Sequence, residues 1–343
     1  MKKLIFLSTF LCLLLLFGCT DDSKDMQPNN DSSEDEKEEV VVKVISPAGG
    51  PTLAIAPLIN ELNQLDHYKI EYEVVDDPQL LNDKIRTKSH QIVIAPSNAG
   101  ANLYNKGSNY LYGGTLTFGN LFLVGTEKIS LNELSGEAIV AFGNGAVPGI
   151  TLEQILKFKN IYNGNNIQYE QAVNQAQLKL LSGQFKFALL AEPALSVTKM
   201  QMAQKCPAGK TCDLHVIIDL QAAYEEMTGL SGYPQAGLFI NGDFYKEHQG
   251  FVNTFLEKVK EGTQLVNHEK DKGAEFYQAG FEKGIIPNNP PKQALINSIA
   301  GSNIGFMNAE ASKTIMGQYL QMIYNINPKL VGDKLPDEGF YLK

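Results

Sequence analysis

Four short stretches carry residue types whose spacing could do chemistry. The first is Ser46-Pro47-Ala48-Gly49-Gly50-Pro51-Thr52. Its two glycines permit a tight turn, and Pro51 has its φ preset for the first turn of a helix. Backbone N–H groups at such a start have no intrahelical partner and carry partial positive charge, so they can hold an anionic or carbonyl group. Pro96-Ser97-Asn98 and Gly143-Asn144-Gly145-Ala146-Val147-Pro148-Gly149 each follow a short apolar run in the same way. The fourth, Glu192-Pro193, follows the run Phe187–Ala191 and adds a carboxylate. Each stretch also has a plainer reading. Thr52 and Glu192 can cap helices, Asn98 can be an ordinary first-turn residue, and Asn144 can serve its own turn.

Catalysis would need a nucleophile beside a base, or a cluster of metal ligands. The five histidines, His67, His90, His215, His248 and His268, fall in none of the four stretches, and GxSxG, HExxH and phosphate-loop motifs are absent. The expectation is a protein that is not an enzyme and needs no cofactor. Cys206 and Cys212, in CPAGKTC, read as a small disulfide loop. With Asp213 and His215 nearby a metal site is the alternative, weakened by the lack of a fourth soft ligand.

The elements that must position these residues alternate along the chain. Val40–Ile45 is β-branched and reads as a strand, and Gln91–Ala95, Glu137–Phe142 and Phe187–Ala191 are further strands, each followed by a turn and a helix. Tyr68–Val75, Asn120–Gly125, Leu214–Asp219 and Ala236–Ile240 read as strands too. Pro51–Leu65 reads as the first helix, with Pro57 placed to kink it, and from Asp243 onward the chain reads as mainly helical. Repeated strand–turn–helix units predict an α/β protein with parallel sheets, whose ligands bind beyond the carboxyl ends of the strands.

The amino-terminal segment is of another kind. Lys2 and Lys3 precede an apolar run from Leu4 to Phe17, the shape of a secretory signal. Leu16-Phe17-Gly18-Cys19 resembles the lipobox of bacterial lipoproteins, which implies cleavage after residue 18 and lipidation of Cys19. Thr20–Glu39 holds nine acidic and two basic residues, a composition that cannot order itself and reads as a tether. The chain's net charge of −9 therefore belongs mostly to that tether and says little about the ligand. No basic tract suggests nucleic acid.

The order GGPTLA, IAPSNAGANLYNKG, TFGNLFLVGTEKISLNELSG, IVAFGNGAVPG, FALLAEPALS, PQAGLFIN and KLPDEGFY resembles the substrate-binding lipoproteins of ABC importers in the nitrate, sulfonate, taurine and thiamine-precursor group. The resemblance runs from about Val40 to Tyr341 and implies a type II periplasmic-binding-protein fold. It implies two lobes, each a mostly parallel sheet flanked by helices, with lobe 1 at 40–118 plus 238–343 and lobe 2 at 119–237. Hinge strands are expected near Thr115–Phe122 and Tyr233–Phe239.

The implied ligand site draws Gly49, Gly50, Pro51, Thr52, Ser97 and Asn98 from lobe 1. It draws Asn144 and Glu192 from lobe 2, and Phe118, Tyr233 and Gln235 from the hinge. Relatives often carry Trp in the cleft; this chain has none, so the aromatic candidates are Phe118, Tyr112 and Tyr233. The implied partners are a small molecule, an ABC permease with its ATPase, and a bilayer reached only through Cys19; the protein is expected to be a monomer outside the cytoplasm. Helix starts suit a sulfonate, whereas a buried Glu192 suits an aminosulfonate or a pyrimidine-like thiamine precursor. A surface sensor or adhesin on the same scaffold is the alternative function, followed by a precursor-biosynthesis enzyme of related fold.

Overall fold

The computed structural model describes residues 38–343 apart from 77 and 163–165, with the side chains of residues 78 and 79 also undescribed. The expected signal, Cys19 and all but the last two residues of the tether lie outside the described residues. The chain opens with β1 (Val40–Pro47), α1 (Gly50–Glu61), β2 (Gln64–Leu65), β3 (Tyr68–Val75), α2 (Pro78–Arg86), β4 (Ile92–Pro96), α3 (Ser97–Asn105) and β5 (Tyr110–Thr117). It continues through β6 (Leu121–Gly125), α4 (Leu131–Leu134), β7 (Ile139–Phe142), α5 (Val147–Phe158), β8 (Ile167–Glu170), α6 (Val173–Leu181), β9 (Phe187–Ala191), α7 (Ala194–Lys205), β10 (His215–Asp219) and α8 (Leu220–Thr228). It returns with β11 (Ala236–Asn241), α9 (Gly242–Glu247), α10 (Gln249–His268), α11 (Lys270–Glu282), α12 (Lys292–Gly301), β12 (Ile304–Asn308) and α13 (Ala309–Ile326). Two 3-10 turns, Pro328–Val331 and Glu338–Phe340, close the chain.

Two sheets result, with strand orders β12-β5-β11-β4-β1-β3-β2 and β10-β6-β9-β7-β8. Parallel pairs join β1 to β3 and β4, and β7 to β8 and β9. The remaining pairs are antiparallel, among them β11 with β4 and β5, and β6 with β9 and β10. The sheets are thus mixed rather than mostly parallel. Strands that enter a sheet from the other half of the chain arrive without a right-handed crossover and pair antiparallel.

Alternation builds the smaller sheet. Leu121 and Leu123 of β6, Ile139 and Ala141 of β7, and Phe187 and Leu189 of β9 face the main core, which is shared with the larger sheet. Their neighbours Phe122, Val124, Val140, Ala188 and Leu190 face a second core under Ala176, Leu180 and Leu195. A period of two places successive side chains on opposite faces, so both faces are covered. Helix α1 is buried along Thr52–Ile59 and packs on α10 and α11. It runs through Pro57 without ending there.

The chain passes between the sheets twice, at Phe118–Asn120 and between α8 and β11. Neither crossing is a strand throughout, as the expected hinge strands would require. Gly119, at φ 96°, lies two residues past the end of β5, and Gly232, at φ 84°, precedes Tyr233-Pro234. Such angles do not continue a pleated ladder, and Pro234 has no N–H to donate to one. Cys206 and Cys212 are joined by a disulfide with Cα atoms 5.5 Å apart, at the end of α7. No helix among the described residues is long and apolar enough to cross a membrane.

Candidate functional site

Strand β1 delivers the chain to Gly49, whose φ of 108° turns it into α1. The Thr52 hydroxyl donates back to the Pro47 carbonyl at 2.8 Å and lies 3.2 Å from Ser46 Oγ. Thr52 therefore locks the turn from a fully buried position. No side chain caps α1, and its first turn carries no acid. At Gly50 a Cβ would lie 3.3 Å from Asn120 Nδ2, so the start of α1 abuts the first crossing.

Asn120 joins that crossing to the end of β9. Its Nδ2 donates to the Glu192 carbonyl at 3.1 Å, and the Glu192 N–H donates to the Asn120 carbonyl at 3.1 Å. The Glu192 carboxylate is 6 % exposed and is held by Ser196 of α7. Oε2 accepts from the Ser196 N–H and Oε1 from its hydroxyl, each at 3.0 Å. Glu192 therefore does cap this helix. Burial pushes its pKa above the usual carboxylate value, and the Ser196 bonds pull the other way. A Cβ at Gly301, the last residue of α12, would lie 3.1 Å from Glu192 Cγ and 3.2 Å from Phe122 Cζ. The two halves thus meet along a seam where Glu192 and Phe122 press on α12.

At the second crossing Tyr233 stacks on Tyr319 of α13, with ring centroids 5.5 Å apart and planes 24° from parallel. Tyr224 of α8 meets both edge-on, at 5.3 and 6.1 Å. Thr151 of α5 faces the Tyr319 hydroxyl across the same seam, and the Asn120 backbone N–H faces the Tyr233 hydroxyl. Burial raises all three phenol pKa values, that of Tyr224 to about 12.

Polar atoms left without partners concentrate here. Among the described residues ten buried side-chain oxygens have no hydrogen bond of good geometry; six lie on the crossings or on residues that touch them, and a seventh, that of Thr151, faces Tyr319. Three are amide oxygens, of Asn120, Gln221 and Gln235. Four are hydroxyls, of Ser97, Thr151, Tyr233 and Tyr319. Ser97 and Gln235 are neighbours, since the Ser97 N–H donates to the Gln235 carbonyl at 3.1 Å. Gln221 packs against both crossings, where a Cβ at Gly119 or Gly232 would collide with its amide. A buried polar group without a partner costs stability, so seven on one seam mark it as the candidate site.

Other expected residues lie differently. Asn98 donates to the Leu330 carbonyl at 3.2 Å and so serves the carboxyl-terminal segment. Asn144 is exposed on the turn before α5. Phe118 is half-buried beside Gly305, where a Cβ would lie 3.3 Å from its ring. Tyr112 belongs to the core, its ring stacked on Phe340 and its hydroxyl 2.9 Å from Ser312. Asn120, Thr151, Gln221 and Tyr319 were not singled out by the sequence. Among the described residues His90 is the buried histidine, and Glu73 and Ser89, each at 3.0 Å, hold its ring in the larger-sheet half.

The fold matches solved structures over nearly its whole described length. An ABC transporter structure from Parabacteroides distasonis superposes with a TM-score of 0.74, at 24 % identity, over 89 % of this chain and 99 % of its own. The chain has the type II periplasmic-binding-protein fold. The periplasmic aliphatic sulphonate binding protein SsuA from Escherichia coli shares this fold at a TM-score of 0.64 and 13 % identity, over 88 % and 94 % of the two chains. The periplasmic nitrate-binding protein NrtA from Synechocystis PCC 6803 shares it at 0.63 and 12 %, over 87 % and 86 %. No protein-family model and no curated protein matches the chain.

Proposed function

We propose that the protein is an extracytoplasmic solute receptor, which binds a small molecule in the seam between its two sheets and delivers it to an ABC import permease. The observation that carries this reading is the set of seven unpartnered oxygens gathered where the chain crosses between the halves. The likeness to binding proteins of importers supports it. The lobes in this reading are 40–118 with 238–343, and 119–237. Ligand contacts come from Ser97, Asn120, Thr151, Tyr233, Gln235 and Tyr319. Gly49–Thr52, Phe118 and Glu192 form the surrounding wall. Lipidation of Cys19 tethers the receptor to the outer face of the membrane, and transport and ATP hydrolysis belong to the partner subunits.

Native mass spectrometry of protein purified from the exported fraction tests the reading. A small molecule that stays bound in the folded state and is recovered chemically unchanged supports a receptor. A molecule recovered as a reaction product supports an enzyme, and a folded chain that carries nothing from a complete growth medium counts against both. Metabolic labelling with a fatty acid tests the anchor: Cys19→Ala protein labelled as strongly as wild type would rule it out.

A further inference from the structure

The two crossings are held by hydrogen bonds on either side of two glycines. On the larger-sheet side the Gln235 N–H donates to the Thr117 carbonyl at 2.9 Å, which ties one crossing to the other. Asn303 grips the first crossing from the same half. The Phe118 N–H donates to its carbonyl at 3.0 Å, and its Nδ2 donates to the Gly119 carbonyl at 2.6 Å. On the smaller-sheet side the Asn120 carbonyl accepts from the Glu192 N–H at 3.1 Å. Between these clamps lie Gly119 and Gly232, at φ 96° and 84°. Without a Cβ, such residues absorb torsional change at low cost, and a hinge needs only a few positions of this kind.

One side chain fills the space between the two glycines. Gln221 stands in the first turn of α8, where the Asp219 carboxylate accepts from the Gln221 N–H at 2.9 Å and the Ala222 N–H at 3.2 Å. Asp219 ends β10 and pairs with Phe122 of β6, so the base of Gln221 is fixed in the smaller-sheet half. Its amide reaches both crossings. A Cβ on Gly119 would come within 2.1 Å of Oε1, and one on Gly232 within 1.9 Å of Nε2. The same added atoms would meet the Tyr233 ring at 2.7 Å and the Phe118 carbonyl at 2.8 Å, so each crossing also presses on the other. Oε1 is buried and makes no hydrogen bond of good geometry, so its contact with Gly119 is one of shape rather than bonding.

We propose that Gln221 is a spacer that limits how far the two halves rotate about Gly119 and Gly232. Rotation changes the torsions of both glycines and draws the crossings together on one side. A close-packed amide lodged between them resists that approach. The spacer belongs to the junction itself and stands whether or not the seam holds a ligand.

Pulsed electron paramagnetic resonance on the full chain in detergent tests it, after unfolding in urea without reductant and refolding to free the protein of bound small molecules. Nitroxides are carried on p-acetylphenylalanine in place of Asn144 and Asn289, exposed residues of the smaller- and larger-sheet halves, so that no cysteine is labelled. The distance distribution is compared in wild type, Gln221→Ala, Gln221→Asn and Gln221→Met, with the melting temperature measured beside it. We expect Gln221→Ala to broaden the distribution and Gln221→Asn, one methylene shorter than wild type, to broaden it less. Gln221→Met keeps the length of the side chain without its amide and should match wild type. Gln221→Asn carries the comparison if Gln221→Ala does not fold. Distributions as narrow as wild type in both shortened variants, even with a lowered melting temperature, would overturn the spacer and leave Gln221 a packing residue. Broadening by Gln221→Met as large as that of the shortened variants would overturn the role of shape.

Discussion

Tyr319 stacks on Tyr233 across the junction of the two halves, with centroids 5.5 Å apart, and neither hydroxyl makes a hydrogen bond of good geometry, Tyr319 facing Thr151 and Tyr233 facing the Asn120 backbone. The rings come from α13 and from the second crossing, so this contact closes the molecule. Its polar ends are left for something other than the fold. Tyr319→Phe keeps the stack and removes one orphan. Ligand-free stability should stay level or rise, by up to about 1–3 kcal/mol, while ligand affinity falls. Urea denaturation of ligand-free protein, read beside calorimetry, checks both halves of this expectation; a clear loss of stability would make the hydroxyl structural.

Glu192 should make stability depend on pH in a particular direction. Burial raises its pKa in the folded protein, so the folded state favours the proton. Its contribution is fully present below the ordinary carboxylate value of 4.5 and is lost as pH rises through the raised folded value. Glu192→Gln keeps an oxygen for Ser196 and removes the titration. The stability of wild type relative to Glu192→Gln should therefore fall as pH increases from 4.5. A difference that does not change with pH would show that the carboxyl titrates normally.

Much of the scaffold was legible because its signals are local. The β-branched run before Gly49 and the apolar run before Glu192-Pro193 gave strands β1 and β9 and the helices after them. β12 was missed because Ile304–Asn308 is a short edge strand, interrupted by Gly305, in a region of helical periodicity. The site was less legible. Thr151 lies in an apolar helix, and Tyr319 sits at helical spacing with Met316, Leu320 and Ile323. That periodicity reads as core, and both residues are indeed buried. Whether a buried hydroxyl finds a partner depends on the opposite half, which no local pattern reports. Asn98 misled for the same reason, since its partner Leu330 is 232 residues away.

Gly119→Ala should damage the first crossing. The position has φ 96°, and a Cβ there would come within 2.1 Å of Gln221 Oε1 and 2.7 Å of the Tyr233 ring. Strain and overlap together should cost about 2 kcal/mol or more. A melting temperature equal to that of wild type would mean that the crossing relaxes freely.

The carboxyl-terminal segment is clamped to α3 by asparagines about two helical turns apart. Asn98 reaches the Leu330 carbonyl, and Asn105 Nδ2 donates to the carbonyls of Val331 and Lys334, each at 2.6 Å. Asn105→Ala should cost about 1–3 kcal/mol and expose residues 328–343 to protease before the rest of the chain. Cleavage no faster than in wild type would show that the remaining contacts, Asn98 on Leu330 and Phe340 stacked on Tyr112, hold the segment without Asn105.

The most direct measurement is electron density in the seam, from crystals of protein purified from the exported fraction without unfolding. We expect one connected molecule larger than water, within hydrogen-bond distance of Asn120 Oδ1, Thr151 Oγ1 and the Tyr319 hydroxyl. Separate waters satisfying these atoms, or a bound molecule seated elsewhere, such as the surface groove of about 480 Å³ beside Leu178 and Gln201, would contradict the assignment of the seam as the binding site.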